Sequence, residues 1–303
     1  MCVVAALFLT VVSSSHAAWA QQDPQSPTSV EPPVDDAVTP RVRLRTNLAI
    51  DFTVTGVLAA SLVTWVLIKP KLSVPTCTIC DGSNGQVNAV DDFFRTALKH
   101  GSGSPAGTIS DVLAYGVAPV TGIALNIAVP VYDHRGDEAA ENVLLVVEAS
   151  LAFAAIQQAI TALVPRERPS VHAQPSPERE SSLQSRSALE SFPAGHNGSA
   201  FAIAAAGGTI ATMRGYRLAP LVWIAGGAIA LATSYLRIAA DRHYFTDVMT
   251  GAALGIGTGI AIPLVFHRPV GVRPSAATRW LQGANVSTTE IPGGRIVGIG
   301  WGF

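Results

Sequence analysis

The chain has 303 residues, 49% of them apolar and 14% charged, with a formal net charge of -1 and a mean hydropathy of +0.35. A soluble domain carries about 25% charged residues, so this composition argues against an ordinary soluble protein. The net charge says nothing about partners, and no basic stripe points to nucleic acid, so no nucleic-acid partner is expected.

In chain order, the opening "MCVVAALFLTVVSSSHAAWA" has an apolar core followed by small residues, which is the pattern of a secretory signal cleaved after Ala20. No Lys or Arg precedes that core, so an uncleaved anchor and a misassigned start stay open. Residues 21–47 are rich in Pro, Ser and acid and are expected to be a disordered linker. Six apolar stretches then approach the ~20 residues needed to span a bilayer: Leu48–Ile68, Ile109–Tyr132, Ala139–Val164, Asn197–Met213, Leu218–Leu236 and Phe245–Phe266. The fourth and fifth are short and rich in Ala and Gly, which also suits helices buried inside a bundle. No strand pattern interrupts this region, so the fold class expected is all-α, a six-helix membrane bundle over 48–268, with a C-terminal tail over 269–303 of no assigned role.

Cys77 and Cys80 lie in a Gly/Asn-rich loop after the first span, where a structural disulfide is expected in an oxidising compartment. A redox dithiol or a zinc site is the alternative; the first lacks a βαβ context and the second lacks two ligands. Arg41, Arg43 and Arg45, then Arg214 and Arg217, then Arg268, Arg273 and Arg279 mark three basic groups. The positive-inside rule places all three in the cytoplasm and the long Pro165–Phe192 loop outside, whereas a cleaved signal followed by six spans gives the reverse. Within the third span, Glu148 is either a hydrogen-bonded interhelical residue or a proton or headgroup site. The sequon at Asn197 is discounted because it adjoins His196.

Ionisable groups gather where the spans end. "PRERP" supplies Arg166 and Arg168, "SFPAGHNG" supplies Gly195 and His196 at a helix start, and "YLRIAADRHYFTD" supplies Arg237, His243 and Asp247. His243 and Asp247 are spaced to share one helical face. A carboxylate there can accept one imidazole N–H, leaving the other nitrogen free to attack. A helix start offers free backbone N–H groups to a phosphate, and arginines match its oxygens. The chemistry suggested is phosphoryl transfer through a phosphohistidine, with no metal and no other cofactor.

These residues resemble the type 2 phosphatidic acid phosphatase and vanadium haloperoxidase superfamily. Its motifs are Lys, six residues, Arg-Pro; Pro-Ser-Gly-His; and Ser-Arg, five residues, His, three residues, Asp. Arg168-Pro169 ends the first, Pro193-Ala194-Gly195-His196 matches the second, and Arg237, His243 and Asp247 match the third. The resemblance implies that His243 attacks phosphorus, Asp247 orients it and His196 protonates the leaving group. It implies that Arg168, Arg237 and the Gly195 N–H hold the phosphoryl oxygens. The implied protein is a hydrolase of a lipid phosphate or diphosphate, integral to a bacterial inner membrane with its site facing the periplasm. Its partners are the bilayer and the lipid phosphate, and the sequence carries no signature of an oligomeric state.

Three positions depart from the motifs. Thr161 stands where the first motif has Lys, Ala194 where the second has Ser, and Leu236 where the third has Ser. Arg166 is the candidate to replace the missing cation. Loss of one preorganised donor costs on the order of 100-fold in rate, so a weakened member that only binds lipid phosphates is one alternative. A vanadate-dependent haloperoxidase is another, although those enzymes are generally soluble.

Overall fold

The computed structural model describes residues 41–80, 87–101, 104–270, 284–291 and 294–301; the expected signal peptide and most of the expected linker lie outside them. Helix α1 (Leu48–Ile68) starts at Asn47, whose side chain accepts the Ile50 N–H while Asp51 accepts the Asn47 N–H at 3.0 Å. Reciprocal capping of this kind satisfies donors that a helix start leaves free. A short amphipathic helix α2 (Ala89–Leu98) follows, with no counterpart among the expected elements. Helices α3 (Ala106–Val112) and α4 (Ala118–Tyr132) form one rod joined by a π turn over Leu113–Val117. Then come α5 (Ala139–Leu163), two short helices α6 (Pro169–His172) and α7 (Ser176–Ser182), and the long α8 (Gly195–Arg214), α9 (Ala219–Ala239) and α10 (Phe245–Phe266). Gly215, at φ 70°, ends α8 in the left-handed conformation that glycine adopts without a Cβ clash.

The helical domain is all-α, as expected. Among the described residues, five segments are long and apolar enough to cross a membrane: 48–71, 106–132, 136–163, 219–239 and 245–266. The exception is α8, which holds the middle of the bundle against α4, α5, α9 and α10 and is buried along most of its length. Its Ala and Gly content is that of a packing helix, the second of the two readings its sequence allowed. Around it, Phe52, Val57, Leu67, Val120 and Ile224 present apolar side chains outward, as lipid contact requires. In the tail, Ala284–Ile291 and Gly294–Trp301 pair as two antiparallel strands, outside the helical domain.

Two peripheral segments are tied to the bundle by backbone bonds. At one end, Arg45 N–H reaches Arg268 O at 2.9 Å and Val270 N–H reaches Arg43 O at 2.8 Å, with Leu44 buried in the core. Packed structure therefore begins within the stretch that composition assigned to a linker. At the other end, Cys77 and Cys80 form the disulfide, and the loop it closes donates from Thr78 and Ile79 to the Pro165 carbonyl. Arg166 pairs along Ile79 on one side and Glu190 on the other, so the long loop is braced rather than loose.

Contact between α8 and α10 is backbone to backbone. A Cβ on Gly255 would collide with the Gly198 carbonyl oxygen, and one on Gly251 with that of Ala194. Small residues let two helices approach this closely in an apolar medium. Gly255→Ala is expected to destabilise the protein by about 3 kcal/mol, read as a lowered thermal midpoint in detergent. Gly257→Ala, which meets nothing within 4 Å, is expected to leave that midpoint unchanged.

Candidate active site

Four elements converge at the end of the bundle where α8 and α10 begin. The extended stretch Pro165–Arg168 lies between the disulfide loop and residues 188–191. It delivers Arg166 and Arg168. The start of α8 delivers Gly195 and His196, the end of α9 delivers Arg237, and the turn before α10 delivers His243.

His243 is 3% exposed. Its Nδ1 lies 2.7 Å from the Ser191 carbonyl oxygen. A carbonyl can only accept, so Nδ1 carries the proton and Nε2 carries the lone pair. Nε2 faces Arg237, whose Nη2 is 3.3 Å away, and the His196 ring centre is 6.4 Å from that of His243. Burial, and then the charges of Arg168 and Arg237, hold the His243 imidazole well below its usual range.

Asp247 does not accept the imidazole proton as the spacing suggested. Its Oδ2 is 3.9 Å from Nδ1, beyond hydrogen-bond range. The reason is local: α10 starts at Phe245, so His243 precedes the helix and the two residues share no helical face. Asp247 instead caps α10 by accepting the Tyr244 N–H at 2.8 Å, and accepts the Ser191 hydroxyl at 2.5 Å. Its influence on His243 passes through Ser191, one side chain accepting from the serine hydroxyl and the other donating to the serine carbonyl.

Arg166, the expected replacement for the missing cation, is engaged by buried carboxylates. It is 5% exposed, and its guanidinium donates to Asp247 at 2.6 Å, Asp91 at 2.8 Å and Thr246 at 2.7 Å. Asp91, from α2, is fully buried and also accepts the Thr246 N–H. Burial alone would raise the Asp91 carboxyl, but these donors hold it below the usual carboxylate range. Arg166 belongs to the scaffold, between two carboxylates that need its charge.

Arg168 and Arg237 stay available at the site. Arg168 spends its Nε on the Ser187 carbonyl and one Nη on that of Arg242. Burial, with the charge of Arg242 nearby, lowers its pKa. Arg237 contacts Ser110 at 3.1 Å and Asp111 at 2.7 Å. The same Asp111 oxygen lies 3.0 Å from His196 Nε2, and Tyr115 packs on the His196 ring with centres 4.6 Å apart. Gly195 opens α8 against Gln157, which also donates to Thr161 at 2.9 Å.

The residues that motif spacing missed are Asp91, Asp111, Ser191 and Arg242. Asp91 and Asp111 arrive from other segments, Ser191 stands just before the second motif, and Arg242 fills an unspecified position within the third. Asn197, by contrast, is fully buried and donates to the Val248 carbonyl, which closes the sequon to a glycan.

With both carboxylates buried, Arg166→Gln is expected to cost about 3–5 kcal/mol of stability, read as a lowered thermal midpoint. Arg168→Gln should cost far less. A stable Arg166→Gln protein with weakened phosphate affinity would instead make Arg166 a substrate ligand.

The model of the PAP2 superfamily matches residues 142–270. No curated protein matches the chain. A solved structure similar to it is the transmembrane PAP2 type phosphatidylglycerolphosphate phosphatase from Bacillus subtilis, at 18% identity and a TM-score of 0.40, over 71% of this chain and 92% of that one. A likeness at that score carries no argument, and the matched segment is what decides. Residues 142–270, which contain His196, His243, Asp247, Arg166, Arg168, Arg237 and Arg242, are the part of the chain that is similar to the PAP2 superfamily.

Proposed function

We propose that the chain is an integral membrane phosphatase that hydrolyses a lipid phosphate or diphosphate through a phosphohistidine on His243, with no metal in the step. The observation that carries this reading is the His243 tautomer. Its Nδ1–H is committed to Ser191, and its Nε2 lone pair is aimed at the arginine side of the site. Nε2 attacks phosphorus as the ester P–O bond breaks, and His196 gives its proton to the departing oxygen. Water then attacks the phosphohistidine, His196 takes a proton from that water, the P–N bond breaks and inorganic phosphate leaves. Arg168, Arg237 and the Gly195 N–H hold the oxygens on which charge collects.

Asp111 occupies a revealing position, for one of its oxygens bridges Arg237 and His196 as a phosphate oxygen would. With 54% of its side chain exposed, it is free to swing away as substrate arrives. On arrival, the substrate takes over the arginine donors, including the one now facing Nε2.

The basic groups Arg41, Arg43, Arg45, Arg214, Arg217 and Arg268 lie toward the end of the bundle opposite the histidines, by the direction of α8 and α10. The positive-inside rule then turns the site outward. The Cys77–Cys80 disulfide at the site end fits an oxidising compartment. Both support a bacterial inner membrane with the site toward the periplasm.

The test is phosphate release by detergent-purified protein from a panel of lipid phosphates and diphosphates in the presence of EDTA. Release is expected to survive EDTA and to fall roughly a thousand-fold or more in His243→Ala. No release from any substrate by folded protein would favour a member that binds lipid phosphates without turnover, and halide oxidation with added vanadate would favour a haloperoxidase.

The pH profile has a definite sign. Neutral imidazole is the attacking form, and it is present above the His243 pKa. Because that pKa lies well below the ordinary 6.5, His243 should set no acidic limb near neutrality. Arg168→Gln removes one depressing charge, so any acidic limb of kcat/KM should move to higher pH. A limb that stays in place would assign it to another group.

A further inference from the structure

At the end of the bundle away from the histidines, three buried ionisable side chains take no part in that chemistry. Asp51 comes from the first turn of α1, Glu148 from α5, and His267 follows the last residue of α10. Some 20 residues of α10 separate His267 from Asp247, about 30 Å at the helical rise. One ligand atom from each of the three lies within 4.8 Å of the others, and the residues are 6%, 6% and 2% exposed.

Their hydrogen bonding is incomplete in a particular way. His267 Nδ1 lies 3.3 Å from the Arg45 carbonyl oxygen, so that nitrogen carries the proton. Its Nε2 lies 3.5 Å from Glu148 Oε1, and neither Nε2 nor Glu148 Oε2 has a hydrogen-bond partner. Asp51 accepts the Asn47 N–H, and among the described residues no Lys or Arg is paired with either carboxylate. Two buried carboxylates therefore face one imidazole. An unpartnered buried polar atom costs about 1–3 kcal/mol, more when charged, and the imidazole can offset at most one of the two charges.

A cation among the three atoms removes both deficits. The Glu148–His267 separation of 3.5 Å already suits two ligands on one ion at metal–ligand distances of about 2.0–2.2 Å. The backbone carbonyl on Nδ1 is the outer partner that metal-bound histidines use to fix their tautomer. One imidazole nitrogen with two carboxylates suits a first-row divalent ion better than calcium or magnesium, which prefer oxygen alone.

We propose that Asp51, Glu148 and His267 bind one first-row divalent cation, of the zinc or manganese kind, which clamps α1, α5 and α10 together. The site is closed over by the pairing of residues 43–45 with 268–270, so the ion also secures the segment leading into α1. This inference does not rest on the phosphatase reading.

The experiment uses the full chain without a histidine tag, stripped by chelator in detergent and then offered Zn2+ or Mn2+ separately. The expected result is one ion per chain by elemental analysis and a thermal midpoint that rises with metal. Both should be lost in Glu148→Gln and in Asp51→Asn, and kept in His243→Ala. The two variants answer for each other if one fails to fold. Phosphate release by folded Glu148→Gln should match the parent, since none of the three residues touches the catalytic groups. Absence of uptake and of any midpoint shift in the parent would overturn the proposal and leave a proton shared among the three. Uptake unchanged in both carboxylate variants, or lost in His243→Ala, would overturn it by placing the metal elsewhere.

Discussion

The buried Arg166 guanidinium, held between Asp91 and Asp247, is the contact on which the site depends. It joins the connection after α5 to α2 on one side and to the start of α10 on the other. Asp247 in turn fixes Ser191, and Ser191 fixes the tautomer of His243. A buried ion pair is a weak source of net stability, but breaking one leaves a charge that nothing else neutralises. Such a cluster is therefore a strong constraint on geometry. It lets His243 be held without a direct carboxylate contact, so that its Nε2 stays unprotonated beside Arg237.

A second constraint works at the scale of the bundle. The glycines of α8 and α10 bring two backbones into contact, and the two helices start at the same end. His196 and the His243 turn are delivered side by side because the helix pair admits no Cβ between them. The rest of the site is assembled against that pair. Asp241 anchors its loop to α2 through Arg95 at 2.6 and 2.8 Å and to Lys99 at 2.9 Å. Phe94 stacks on Phe245 with ring centres 3.8 Å apart. Helix α2 is thus a buttress for the turn that carries His243.

The motif departures look different in this setting. Thr161 is hydrogen-bonded by Gln157, which also reaches the Pro193 carbonyl ahead of His196. That position has become part of the wall behind Gly195 rather than a donor. Arg242, exposed beside Arg168, adds positive charge at the mouth from a position the motifs do not mark. The number of cations near the site is therefore larger than the motif residues alone suggest, and their arrangement differs.

Much was determined by the sequence by itself. Apolar run length set the long helices, since each must satisfy its own backbone in lipid. The spacing of Arg168, His196, Arg237 and His243 marked groups that do converge. The Ala and Gly content of α8 allowed its central place. Only the tertiary structure decided which groups touch. Asp247 turned from His243 to the cap of α10 because the helix begins two residues after the histidine, and a helix start recruits the nearest carboxylate to its free N–H groups. Arg166 turned inward because Asp91, 75 residues away in sequence, brought a second buried charge that had to be matched. Asp111, Ser191 and the Asp51–Glu148–His267 cluster were invisible for the same reason. Each is a meeting of residues from separate segments, and electrostatic pairing inside a low-dielectric interior depends on distance in space, on which spacing along the chain has no bearing.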